Sequence, residues 1–334
     1  MTAASVLVTR RLPARAMEQL SGLDVEVWPG ETAMPRADLL RAVAGKDAMI
    51  TLLTERVDDE LLDAAGEGLV IVANYAVGYD NIDVDACTRR GIMVSNTPDV
   101  LTDATADMAW ALLMAAARRV AEGDRFLRAG PEWVWGPEMM LGQDVHHRTL
   151  GIVGYGRIGQ AVAARASGFA MEVLWFDPLV PSDAVLPGRR CETLDELLGA
   201  SDFVSLHVSL SAGTHHLINA ERLRQMRPTA VLVNAARGPV VDEAALAEAL
   251  DTGVIFAAGL DVYEREPEVD ARLRANPRAV LAPHLGSATV DTRDAMGKVA
   301  VTNVRATLQG EHPPTLVNPA VWGSPSRRRP RAGR

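Results

Sequence analysis

Three short segments of the 334-residue chain carry groups that could act together on a small polar molecule. The segments 234–238, 259–267 and 282–287 each follow a short apolar run and hold, in turn, Arg237, the carboxylates Asp261, Glu264 and Glu266, and His284. A guanidinium is permanently charged and forks around a carboxylate better than an ammonium does. An imidazole releases a proton near neutrality, and a carboxylate beside it fixes its tautomer and stabilises its charged form. Together these three groups suit hydride transfer to a 2-oxo acid. Arg237 would hold the substrate carboxylate and polarise the carbonyl. His284 would protonate the developing alkoxide, and a carboxylate of the 259–267 segment would support the imidazolium. General acid catalysis of this kind contributes roughly 10²–10⁴ in rate.

A hydride needs a carrier, and the middle of the chain has a place for one. The apolar run Leu150–Val153 leads into Gly154, Gly156 and Gly159 at Gly-x-Gly-x-x-Gly spacing, and a helix-forming segment follows over 160–166. Strand, glycines and helix in that order form a dinucleotide pyrophosphate site. Gly154 allows the tight turn, Gly156 lets phosphates approach the backbone, and Gly159 lets the helix pack close. A second apolar run, 173–176, ends in Asp177, whose carboxylate suits ribose hydroxyls and repels a 2′-phosphate. Pro178, Leu179 and Val180 follow, with no Arg or Lys before Arg189. That pattern predicts NAD(H) in preference to NADP(H).

Positioning these groups requires strand ends at one sheet edge. Residues 1–100 alternate apolar runs (5–8, 25–28, 48–53, 69–74, 92–95) with amphipathic segments (14–20, 36–43, 58–65, 83–90). The runs are continuously apolar, which predicts parallel strands covered on both faces. One long helix is expected over 102–127, and six strands (150–153, 173–177, 203–208, 230–234, 256–260, 280–282) complete the dinucleotide-binding sheet. A helix is expected over 290–309. The Arg-rich end reads as a disordered, solvated tail.

Composition narrows the classes. Lys and Arg number 34 against 43 Asp and Glu, a net charge of −9 that argues against nucleic-acid binding. The longest apolar run, 108–117, is too short to span a bilayer, and the N-terminal run 6–8 is too short for a signal peptide. The two cysteines, Cys87 and Cys191, suit a reducing compartment. The expectation is a cytoplasmic enzyme without membrane or nucleic-acid partners. His146-His147 and His215-His216 are adjacent pairs whose side chains diverge, and no metal is expected. His207 reads as a sheet-edge or cofactor-side residue and Glu264 as a solvated charge. Trp133, Trp135, Met139 and Met140 in the 129–148 segment await a cover, either a subunit partner or ordinary packing.

On these motifs the chain, from about Val6 to Asn318, resembles the D-isomer-specific 2-hydroxyacid dehydrogenases, nearest to their glyoxylate/hydroxypyruvate reductase branch. The resemblance implies an α/β protein in which a Rossmann dinucleotide-binding domain (101–286) is inserted into a flavodoxin-like parallel-sheet substrate domain (1–100 and 287–320), leaving 321–334 as a basic tail. It implies NADH-dependent reduction of glyoxylate and hydroxypyruvate between the domains, with closure excluding water. Arg237, Glu266 and His284 would be catalytic. The backbone N–H groups of Val77 and Gly78, with Leu53 and Arg237, would hold the substrate. Thr105, Arg157 and Ile158 would contact the cofactor phosphates, and Asp261 would face the nicotinamide carboxamide. His207, Val208, Thr214, Ala235, Ala236 and Gly286 would complete the cofactor's surroundings. A homodimer is implied, with the 120–148 segment as an arm. Ser209 stands where the family usually has Pro. Phosphoglycerate-, formate- and phosphite-type dehydrogenases share the scaffold, as do NAD(H)-sensing corepressors.

Overall fold

Apolar strands buried on both faces dominate the computed structural model, which describes residues 3–330. The chain divides into two units, one formed by the residues up to Leu101 and from Ala288 onward, the other by Thr102–Ser287.

The first unit alternates β1 (Ser5–Val8), α1 (Ala14–Glu18), β2 (Asp24–Val27), α2 (Arg36–Val43), β3 (Ala48–Thr51), α3 (Asp59–Ala65), β4 (Ile71–Asn74), α4 (Val84–Arg89) and β5 (Met93–Ser95). Its strands are parallel in the order β2-β1-β3-β4-β5, the flavodoxin-like arrangement. Leu7, Met49, Val72 and Val94 point to one face, against Leu39 and Val43 of α2, Leu61 and Leu62 of α3, and Ala86 of α4. Asp58 and Asp83 start α3 and α4 by accepting the backbone N–H of Leu61 and Ala86.

The second unit contains α5 (Thr102–Ala117), α6 (Val120–Arg128), β6 (Thr149–Val153), α7 (Arg157–Ala166), β7 (Glu172–Phe176), β8 (Arg189–Arg190), α8 (Leu194–Ala200), β9 (Phe203–Leu206), α9 (Ala220–Gln225), β10 (Val231–Asn234), α10 (Glu243–Thr252), β11 (Ala257–Leu260), α11 (Ala271–Ala275) and β12 (Ala279–Leu281). The chain then returns to the first unit as α12 (Val290–Leu308), which packs on α1, β3 and β4. The second sheet runs β12-β11-β10-β9-β6-β7-β8, the order of a doubly wound Rossmann sheet that reverses between β6 and β9. Leu150, Ile152, Phe203, Val231 and Val233 meet α5 and α7 on one face. Val153, Val204, Leu206, Leu232 and Leu260 meet α8, α9 and α10 on the other.

Three expectations are corrected. The long helix over 102–127 is two helices, because Arg119 adopts a left-handed φ of 54° after α5 and Gln143 N donates to Ala117 O at the helix end. The dinucleotide sheet has seven strands rather than six. The missed β8 is two arginines long, so it has no apolar run; Arg190 instead lies 5.3 Å from the Trp175 ring centroid beside it. Residues 321–330 are not a free tail. Val321 is buried, Arg328 N donates to Gly91 O (2.9 Å), and Arg328 Nη1 donates to Gly66 O (2.6 Å), a carbonyl left open beyond α3. Arg327 lies 3.4 Å from the Trp322 ring centroid. The remainder of that expectation, 331–334, lies outside the described residues.

Truncation after Gly323 should therefore lower the stability of the first unit by about 1–3 kcal/mol, through the lost guanidinium–carbonyl bonds. Urea unfolding of the truncated chain checks this, and an unchanged midpoint would show that the segment contributes nothing.

Candidate active site

Every candidate residue of the second unit except Thr105 sits at or just beyond a strand's C-terminal end or on the first turn that follows, the edge where open α/β sheets bind ligands. Gly154 follows β6 with φ 91°, and a Cβ there would lie 2.7 Å from the carbonyl atoms of His207 after β9. The turn is thus pressed into the point where the strand order reverses. A methyl at Gly159 would overlap Gly154 O, so α7 can seat on the turn only through a glycine. At Gly156 the situation is opposite. A Cβ would find no heavy atom within 4 Å, leaving an open cradle over the first turn of α7, where Arg157 and Ile158 lie. Helix N-terminal N–H groups facing open space fit a pyrophosphate.

Asp177 is held beside this cradle. Its Oδ2 accepts Tyr155 N (2.8 Å) and its Oδ1 accepts Leu179 N (2.9 Å). His207 and Val208 line the far side of the turn, and Ser205 Oγ sits 2.8 Å from His207 Nε2. Burial pushes the His207 ring down to about 4, so it is neutral near pH 7. Thr214 closes its own loop, its hydroxyl donating to Ser209 O (2.7 Å) and accepting Ser211 N (2.8 Å). Ala235 and Ala236 are half-buried after β10, and Asn234 pins this turn by accepting Ala236 N (3.1 Å) and donating to Arg237 O (2.9 Å).

The strand ends at β11 and β12 bring the acid–base pair together. His284 Nδ1 lies 2.8 Å from Glu266 Oε2, and the other oxygen of Glu266 accepts Tyr263 N (3.1 Å). Burial raises the Glu266 carboxyl, but the His284 ring, the Tyr263 N–H and the charge of Arg237 outweigh it, and the net shift is downward. Glu266 is therefore ionised at neutral pH. His284 holds a left-handed φ of 54°, a conformation costing about 1–3 kcal/mol for a non-glycine residue. Asp261 offsets this strain. Its carbonyl accepts His284 N (2.8 Å), its Oδ1 accepts Leu285 N (2.6 Å) and its Oδ2 accepts Gly286 N (2.7 Å). Both carboxylate oxygens, expected to face a nicotinamide, are thus engaged by the turn that carries His284. Thr105 of α5 lies against Gly286, within 3.5 Å of where a Cβ would project.

Glu264 is not a solvated charge. Its Oε1 accepts Glu243 N (2.8 Å) and lies 3.1 Å from His216 Nε2, while Glu264 N donates to Glu243 Oε1 (2.6 Å). This exchange ties the Glu266 segment to the start of α10, just beyond Arg237. At Gly238 the two segments touch backbone to backbone, where a Cβ would overlap the carbonyl of Tyr263. No spacing rule links 216, 243 and 264, so only the fold reveals the brace. In the first unit, Leu53 lies half-buried just after β3 and Val77 and Gly78 just after β4. Among the described residues no group of His, Cys, Asp and Glu could hold a metal, and no helix is long and apolar enough to cross a membrane.

Residues 110–286 match the family described as D-isomer specific 2-hydroxyacid dehydrogenase, NAD binding domain. The glyoxylate reductase of Thermococcus kodakarensis is 53% identical over 323 residues, covering 95% of this chain and 96% of the relative. The chain belongs to the D-isomer specific 2-hydroxyacid dehydrogenase family. It is thus an oxidoreductase acting on CH–OH donors, and its second unit is an NAD-binding domain. Among solved structures, the TT0316 protein of Thermus thermophilus is similar at a TM-score of 0.88 and 48% identity, covering 94% of this chain and 99% of that one. An NADPH-dependent glyoxylate/hydroxypyruvate reductase of Sinorhizobium meliloti, solved with NADP and malonate, has a TM-score of 0.82 at 32% identity, with both chains fully covered (100%). That protein binds NADP, so family membership alone leaves the choice of dinucleotide open.

Gly238→Ala should part the Arg237 and Glu266 segments by a fraction of an ångström and lower kcat/KM by roughly 10²-fold, with NADH affinity retained. Steady-state kinetics and NADH fluorescence titration decide it, and a fully active variant would mean that the backbone contact has no catalytic consequence.

Proposed function

We propose that the protein reduces glyoxylate, and also hydroxypyruvate, to the D-2-hydroxy acid with NADH. The observation that carries the reading is the His284–Glu266 pair, 2.8 Å apart at the same sheet edge as the glycine turn. The activity named for relatives about half identical over nearly the whole chain supports it. NADH, when bound, supplies the hydride to the carbonyl carbon. His284 donates the proton to the carbonyl oxygen from Nε2, since Nδ1 faces Glu266. Glu266 stabilises the imidazolium before transfer, and Arg237 holds the substrate carboxylate and polarises the carbonyl. The N–H groups of Val77 and Gly78 share the carboxylate, with Leu53 beside it.

NADH is preferred over NADPH on this reading, because Asp177 would repel a 2′-phosphate. Arg190, in the strand beside that of Asp177, donates to Val180 O (3.2 Å) and Pro181 O (3.0 Å). The chain is also proposed to form a homodimer. Val134 and Trp135 are 88% and 77% exposed on the loop beyond α6, and Val120, Leu127, Trp133 and Leu141 are exposed beside them. A second copy covering this face would remove a large apolar area from water.

Purified protein should oxidise NADH with glyoxylate and hydroxypyruvate ahead of other 2-oxo acids, with a lower KM for NADH than for NADPH. His284→Ala should lose about 10²–10⁴ of the rate, and sedimentation should give twice the chain mass. Absence of turnover with every 2-oxo acid, or full activity in His284→Ala, would sink the catalytic reading. A lower KM for NADPH would overturn the cofactor preference, and a monomer in solution the dimer.

A further inference from the structure

The loop after β4 has a feature that the resemblance does not assign. Three consecutive carbonyls are tied back to the sheet. Ala76 O accepts Thr97 N (2.9 Å), Val77 O accepts Asn96 Nδ2 (2.8 Å) and Gly78 O accepts Asn74 Nδ2 (2.7 Å). All three donors lie at or just beyond the C-terminal ends of the adjacent strands β4 and β5. In a trans peptide the N–H of the next residue points opposite to the carbonyl. Tying these carbonyls toward the strand ends turns the N–H groups of Val77, Gly78 and Tyr79 away from them. None of the three donates to any group among the described residues. Successive N–H groups facing one way form an anion-binding concavity.

The donors are themselves fixed. Asn74 is fully buried, and its Nδ2 faces both Gly78 O and, at 3.4 Å, Asn81 Oδ1, so its amide has one sensible orientation. Asn81 donates in turn to Leu52 O and Glu55 O (both 3.0 Å). Glu55, also buried, collects Thr9 Oγ1, Thr51 Oγ1, Leu52 N and Thr54 Oγ1 without any cation. A buried carboxylate with four donors orders the 51–55 turn, and through Asn81 that order reaches Asn74.

We propose that Asn96 and Asn74 are positioning residues of the substrate-carboxylate site, acting through the carbonyls of Val77 and Gly78, and that the Tyr79 N–H is a third donor to the carboxylate. This rests on the reading of the substrate as a 2-oxo carboxylate. The clamp exists to hold peptides, and it touches no reacting atom. Its effect therefore falls on carboxylate affinity rather than on the dinucleotide, whose candidate residues lie in the second unit.

The test uses the full chain with oxamate, an unreactive carboxylate resembling glyoxylate, titrated into the enzyme–NADH complex. In Asn96→Ala the oxamate Kd should rise about tenfold or more, the scale of one lost charge-assisted bond, while the NADH Kd stays within about twofold. Preference for glyoxylate over its methyl ester should shrink by a similar factor. Asn74→Ala should do the same where it folds, and Asn96→Ser, a smaller disturbance, serves if Asn96→Ala does not fold. Unchanged oxamate binding in a folded Asn96 variant overturns the proposal, as does an equal loss for glyoxylate and its ester. If the wild-type protein itself neither reduces glyoxylate nor binds oxamate, the functional reading fails first, an outcome distinct from intact wild-type turnover with an insensitive variant.

Discussion

The hydrogen bond between His284 and Glu266 depends on a backbone conformation that a histidine does not choose by itself. His284 sits in the left-handed region, and the turn around it is held by the main-chain carbonyl and both carboxylate oxygens of Asp261. Burial pushes the Asp261 carboxyl up, against the two N–H groups that stabilise its charge. In exchange for that desolvation the carboxylate fixes the turn through two backbone N–H groups. From that support follow the direction of the imidazole, the ionisation of Glu266, and the placing of Gly286 against Thr105 of α5. The brace from Glu264 to Glu243 and His216 extends it to the Arg237 segment. His284, Glu266 and the Arg237 segment are in this sense parts of one framework beyond the ends of β10, β11 and β12.

The same economy governs both units. A parallel sheet leaves its strand ends open on one edge, and loops there are free to carry polar groups that the core could not accept. In the second unit the edge presents N–H groups at the α7 terminus beside Asp177. In the first it presents the N–H groups of the loop after β4, steered by side-chain amides. Both present backbone donors of the kind an anion needs, aimed in one case by helix geometry and in the other by neighbouring carbonyls.

Much of this was legible in the residues alone. The strand runs and the glycine turn follow from burial pattern and glycine spacing, which are local properties, while the chain's return through α12 was implied by the family resemblance. Arg237 and His284 were readable because each stands just past a strand end, whereas Glu266, further beyond β11, was singled out from its acidic neighbours by the family resemblance. What escaped has no local signal. The strand β8 is two arginines whose edge position depends on Trp175. The break after Ala117 comes with a returning loop, whose Gln143 N–H donates to the Ala117 carbonyl from far along the sequence. The ordered 321–330 segment looks like a solvated tail until the open carbonyl at Gly66 is in view. Glu264 looked like a surface charge, because its partners Glu243 and His216 lie across loops distant in sequence. Asn74 passes as a strand end and Asn96 as a loop residue until the carbonyls they hold are known.

The central claim is that Glu266 works by supporting the charged form of His284 while Asp261 holds the turn. The most direct measurement is kcat/KM for glyoxylate reduction in the wild type and in Glu266→Gln, which keeps the hydrogen-bonding shape and removes the charge. Without the carboxylate the imidazolium that donates the proton loses its partner, so kcat/KM should fall by roughly 10²-fold, with NADH affinity unchanged. A variant that keeps the wild-type kcat/KM, or that loses NADH affinity as well, would contradict it.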